Sequence, residues 1–135
     1  MKLTDIAVKI ADVLKLRQDI VFGILYGSLA KNDTAPQDID IAVYIDKYSG
    51  LIHEVNMMEE LKEKLCKILP LKADVRVINE APIEFQLQLV EEGIVLYIRD
   101  EDEYADYLEN LSREALDTIQ NRISLKEAED EILCL

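Results

Sequence analysis

Among its 135 residues the chain has no tryptophan, one histidine, two cysteines, three prolines and four glycines. Each scarcity removes a class of explanation. Cys66 and Cys134 lack CxxC spacing and have no histidine cluster to join. That argues against a disulfide framework or a zinc site and makes the cytoplasm the expected compartment. No apolar run reaches the ~18 residues that a membrane span needs. Met1-Lys2-Leu3-Thr4-Asp5 lacks the charged-then-apolar order of a secretion signal. Basic residues are also short: 15 Lys and Arg face 28 Asp and Glu, a net charge of −13. Such a chain repels nucleic-acid backbones, which argues against direct DNA or RNA binding and favours a basic protein partner.

What is present describes one soluble globular domain, with 50% apolar and 32% charged residues. Charge is uneven. Residues 100–135 hold 12 Asp and Glu against 3 Lys and Arg; the first 99 residues carry a net of only −4. We therefore divide the chain into a core, 1–100, and an acidic helical extension of the same domain, 101–135. The extension is either a well-solvated face or a partner surface.

Hydrophobic spacing gives the element order α-β-β-α-β-α-β-α. Thr4 is expected to cap a first helix carrying Ile6, Ile10, Val13 and Leu14. Ile20–Tyr26 is wholly apolar and reads as a buried strand, in which Gly23 permits close packing. Leu29–Gln37 is a mostly polar connection, and Asp38–Ile45 reads as a second strand. Gly50 opens a helix carrying Leu51, Val55, Met58, Leu61, Leu65 and Ile68, ended by Pro70. Residues 73–78 form a third strand. Pro82 suits the first position of a helix closed by Gly93, and Ile94–Ile98 a fourth strand. Tyr104, Leu108, Leu111, Ala115, Ile119 and Ile123 then make one helical stripe. Ser124–Glu127 matches an S-x-x-E capping box, so a break near Asn121 is expected. The fold class is α+β: a small mixed sheet with helices packed on it.

The chemistry concentrates in Gly27-Ser28, nine intervening residues, and Asp38-Ile39-Asp40. Residues two apart on a strand share a face, so Asp38 and Asp40 project together while Ile39, Ile41 and Val43 face the other way. Two carboxylates about 4 Å apart repel by roughly 4 kcal/mol at an effective dielectric near ~20. A divalent cation between them relieves this, and magnesium prefers a few carboxylates completed by substrate phosphates. Asp74, in the third strand, is the candidate third ligand of a two-metal clamp. Gly27 lets phosphate approach the backbone, and Ser28 offers a hydroxyl and an N–H where the chain leaves a strand. The four-residue pattern arises by chance on the order of 10⁻⁵ per start position.

Tyr26-Gly27-Ser28-Leu29-Ala30-Lys31 followed by Pro36-Gln37-Asp38-Ile39-Asp40-Ile41-Ala42-Val43 resembles the signature of the polymerase-beta-like nucleotidyltransferases. The short chain looks like their minimal nucleotidyltransferase group. The resemblance spans about residues 3–100 as a fold and is sharp over 26–43. It implies transfer of a nucleoside monophosphate from a nucleoside triphosphate to a hydroxyl, AMP from ATP being the expected case, with Asp38, Asp40 and Asp74 holding Mg²⁺ and Asp74 acting as base. Gly27, Ser28 and Lys31 would bind the nucleotide. Many members are antitoxins paired with a helical HEPN-type RNase toxin, and some add AMP to a toxin tyrosine. Two departures stand out. The spacer before Asp38 is one residue shorter than usual, and Lys31-Asn32 replaces a common Arg-Gly.

Three functions stay open: an AMP-transferring antitoxin, an antitoxin acting by binding alone, and a small-molecule nucleotidyltransferase of the aminoglycoside type. The acidic terminal helices could serve a homodimer or a hetero-oligomer. Of the remaining residues, His53 reads as a surface or helix-end histidine. Met57-Met58 reads as core filling, and Tyr104 and Tyr107 as packing residues. Arg76 shares the face of Asp74 and could steady it or touch phosphate.

Overall fold

The computed structural model describes residues 2–30 and 38–133; Lys31 and Cys134 lie outside them. Nine elements follow one another: α1 (Leu3–Lys15), β1 (Ile20–Tyr26), α2 (Gly27–Ala30), β2 (Asp38–Ile45), α3 (Leu51–Cys66), β3 (Lys72–Val77), α4 (Ile83–Glu92), β4 (Ile94–Ile98) and α5 (Glu101–Leu133). The sheet order is β3-β2-β1-β4. β1 runs antiparallel to β2 and β4, and β2 runs parallel to β3. A parallel pair needs a crossover, which α3 supplies. The result is the mixed sheet with packed helices expected from the sequence.

β1 lies between β2 and β4 and is covered on both faces, which is why it reads as an unbroken apolar run. One face carries Leu25, Ile39, Ile41, Val43, Val75 and Val77 against α1 and α3. The other carries Phe22, Ile24 and Ala42 against α4 and α5. A Cβ on Gly23 would lie 2.5 Å from Leu14 Cδ1, so its absence lets α1 close onto the sheet. None of the described helices is long and apolar enough to cross a membrane.

Several local expectations are corrected. α1 starts at Leu3, and Lys2, not Thr4, precedes it; the Ile6 N–H donates to the Lys2 carbonyl at 3.1 Å. α2 is a helical turn where a polar connection was expected. α3 ends at Cys66, before Pro70, and buries Met57, Leu61 and Leu65, while Leu51, Val55 and Ile68 are exposed. β3 begins one residue earlier than expected. Pro82 stands just before α4, not within it. Gly93 is extended (φ −79°), so it is not a left-handed cap. It is small for a packing reason, because a Cβ there would lie 2.5 Å from the Leu89 carbonyl oxygen. α5 is one continuous helix through Asn121 and Ser124. Strong helix formers on both sides, such as Gln120, Arg122, Leu125 and Lys126, outweigh the local capping signal.

Candidate active site

Strand register decides which side chains meet. Asp40 is the partner of Tyr26 on β1 and of Asp74 on β3. Tyr26, Asp40 and Asp74 therefore form a row across three adjacent strands. Asp38 pairs with Lys72 and Ala42 with Arg76. β3 alternates exposed and buried residues, so Lys72, Asp74 and Arg76 share one face and the two cations bracket the carboxylate. On β2, Ile39, Ile41 and Val43 are buried while Asp38 is exposed and Asp40 half-buried. The three aspartates picked from sequence thus lie on neighbouring backbone positions of one sheet face.

Gly27 closes the row. Its φ is +77°, a conformation glycine adopts without strain. A Cβ added there would lie 2.3 Å from Asp40 Oδ2. The turn at the end of β1 is thus pressed against the Asp40 carboxylate, and any side chain at position 27 would displace it. Ser28 follows within α2. Lys31 falls outside the described residues.

Electrostatics mark Asp40 as the strained member. Burial pushes its carboxyl above the usual range, the charges of Asp74 and Asp38 push it further, and Arg76 opposes them. Burial likewise raises the Tyr26 hydroxyl, against the pull of Arg76. The Arg76 guanidinium lies 5.2 Å from the centroid of Phe85 on α4. Phe85 in turn meets Tyr26 edge-on at 5.8 Å. Tyr26, Phe85 and Arg76 make a wall behind the carboxylates. Beside it, Tyr26, Gly27, Ala30, Phe85, Gln88 and Glu92 line a pocket of about 110 Å³. Phe85 and Lys72 were missed from sequence. Alternation on β3 pointed to Lys72, but nothing in one sequence places α4 over β1 and β3.

Among the described residues, no group of three or more His, Cys, Asp and Glu side chains is gathered as a ready metal cage. The donor set still fits magnesium, which is held by one or two carboxylates with phosphates and water completing its shell. The missing Cβ of Gly27 lets the backbone at the end of β1 lie directly against the Asp40 carboxylate.

The other candidates sit elsewhere. His53 lies under the opposite sheet face, where its Nδ1 accepts the Ser49 N–H at 3.1 Å; its Nε2 is 3.8 Å from Asp19. Tyr104 and Tyr107 pack on Phe22 at 4.9 and 4.7 Å. The Tyr107 hydroxyl donates to Gln86 Oε1 at 2.6 Å. Two larger hollows, of about 340 and 400 Å³, lie around Tyr44, Asn79 and Tyr107 and contain none of the motif residues.

The sequence model of the family described as polymerase beta, nucleotidyltransferase, matches residues 8–102. No curated protein matches the chain. Solved structures do. A chain of the toxin–antitoxin MntA–HepT shares 20% identity at a TM-score of 0.61, covering 98% of this chain and 99% of that one. A toxin–antitoxin with AMP-PNP shares 19% at 0.61, covering 99% and 100%. A tri-AMPylated Shewanella oneidensis HEPN toxin in complex with MNT antitoxin shares 21% at 0.61, covering 98% of each chain. These likenesses show the same fold over nearly the whole length.

Proposed function

The chain belongs to the polymerase beta nucleotidyltransferase family, and we propose that it is an antitoxin that transfers AMP from ATP to a hydroxyl, a tyrosine by preference, of a basic HEPN-type toxin. The observation that carries this reading is the row Tyr26–Asp40–Asp74 with Gly27 pressed on Asp40. The likeness to an antitoxin bound to a tri-AMPylated HEPN toxin supports AMP as the group and protein as the acceptor. The likeness to a complex with AMP-PNP supports ATP as donor.

Asp38, Asp40 and Asp74 would hold two Mg²⁺ ions. When bound, magnesium neutralises the carboxylate and phosphate charges and polarises the reacting oxygens. Gly27, Ser28 and Lys31 hold the triphosphate on the β1 side of Asp40. The pocket between Tyr26 and Phe85 receives the edge of the nucleoside, because aromatic faces stack on bases. The acceptor approaches from the β3 side. Its oxygen forms a bond to the α-phosphorus as the bond to the β-phosphate oxygen breaks and pyrophosphate leaves. Asp74 takes the hydroxyl proton. Lys72 and Arg76 flank Asp74 and offset the repulsion among three carboxylates.

The test is label transfer. The purified chain is incubated with the protein products of its neighbouring genes, Mg²⁺ and α-labelled ATP. Label should appear on the partner and fall to background with Asp38→Ala. Equal labelling by the wild type and this variant would sink the reading. Should a chain carrying Asp38→Ala and Asp40→Ala fold and still protect cells as well as the parent, neutralisation by binding alone replaces it.

A further inference from the structure

α5 carries two apolar stripes where its sequence reads as one. Tyr104, Leu111 and Ala115 turn toward the body, and Leu111 and Ala115 are buried. Ala115 is the last buried residue of the helix among those described. Leu108, Leu116, Ile119 and Ile123 follow each other at helical spacing along the neighbouring flank. Leu116 is 60%, Ile119 50% and Ile123 51% exposed. A stripe of large aliphatics at that exposure is unusual on a helix otherwise rich in charge. The far half of α5 meets α4 through the exposed Arg122–Glu84 ion pair. Most helical stability in proteins comes from tertiary packing of an apolar face, so a cover over the stripe would also stabilise the helix.

We propose that this flank of α5 is a docking face for a basic amphipathic helix of the partner protein. The proposal rests on the functional reading above and adds the surface that reading lacks. Charge selects the occupant. Beside the stripe runs a parallel exposed row, Asp102, Asp106, Glu109, Arg113 and Asp117, in which four acids outnumber one cation. Residues 100–135 carry a net of −9. A second copy of the chain would set acidic row against acidic row, and like charges across an interface oppose association. A helix presenting aliphatic residues with a lysine- or arginine-rich border matches both the stripe and the row. The carboxylate row of the active site stays free under this arrangement, because its residues lie on β2 and β3.

The test uses the full chain and the protein products of its neighbouring genes. Sedimentation and calorimetry measure association, and label transfer is followed on the same samples. Ile119→Lys, at an exposed position, should leave the far-UV spectrum and melting temperature unchanged and weaken the complex by about tenfold or more. Leu125→Lys, exposed but outside the stripe, should leave the affinity unchanged. Added salt should weaken the wild-type complex. Unchanged affinity in Ile119→Lys overturns the proposal. So does a wild-type chain that is already a dimer alone and that Ile119→Lys dissociates, which would give the face to a second copy. Transfer without a stable complex overturns the docking face and leaves the reaction. Docking through this face without transfer supports the face and removes the reaction.

Discussion

The two faces of the sheet are made by the same strands and differ in kind. Toward α1 and α3, β2 and β3 present only Ile39, Ile41, Val43, Ile45, Ala73, Val75 and Val77, and every one is buried. Toward α4 and α5, the same two strands present Asp38, Asp40, Asp74 and Arg76 at one end and the half-buried Tyr44 at the other. There Phe22, Tyr44, Tyr104 and Tyr107 close the gap between sheet and helices. One face spends all its positions on cohesion. The other is sealed by aromatics at one end, which leaves its opposite end open for charge. The expected division of labour is that substitutions on the first face change stability and those on the second change chemistry.

Gly27→Ala should give the largest effect on the chemical face. The new Cβ meets Asp40 Oδ2, and the +77° φ disfavours any L side chain. The backbone strain costs only about 1–2 kcal/mol. A carboxylate displaced by ~1 Å can cost on the order of 10²-fold in rate. Label transfer should therefore fall about a hundredfold while the melting temperature drops only slightly. Retained transfer would show that the Gly27–Asp40 contact is incidental.

Leu61→Ala probes the opposite face. Leu61 on α3 is fully buried. Its truncation should cost about 2–5 kcal/mol in denaturant unfolding, by lost burial and by the cavity left behind. The KM for ATP of the folded fraction should be unchanged, since α3 has no residue on the site face. A changed KM would mean that the sheet transmits packing strain from one face to the other.

How far this division could be read beforehand varies along the chain. β1, β2 and β4 were legible to the residue, because buried apolar runs and the Asp-Ile-Asp-Ile alternation mark their ends. Asp38 and Asp40 sharing a face follows from strand period alone. That Asp74 falls opposite Asp40, and not Asp38, depends on the β2–β3 register, which no local pattern encodes. Phe85 escaped for the same reason, since it reaches the site only through the packing of α4. α2 spans four residues, too few for a helical period to show. Of the Met57-Met58 pair read as core filling, Met57 is fully buried and Met58 packs partly buried against the core, because neighbouring residues on a helix differ by about 100° in direction. On α5 the 3.6-residue period drifts against the body, so one sequence stripe becomes a buried half and an exposed half.

The smallest effect separates two aspartates by sign. Asp19, next to the α1/α3 side, takes two hydrogen bonds from Arg17 at 2.9 and 3.0 Å. These bonds hold its carboxyl below the usual range, with burial opposing them. Its ionised form is favoured by folding, so it contributes stability above the ordinary carboxylate pKa and loses it as pH falls through the depressed value. Asp40 is shifted the other way, by burial first and then by Asp74 and Asp38. Its ionised form is disfavoured by folding, so without divalent cation it lowers stability as pH rises through and above the ordinary range. Both groups remain partly exposed, and solvent screening limits each effect to about 1 kcal/mol or less. Melting temperatures from acid to neutral pH, in chelator, should show Asp19→Asn falling below the parent only on the neutral side. Asp40→Asn should gain on the parent over that same interval. If both variants follow the parent in parallel, the two faces do not differ electrostatically in the way their geometry implies.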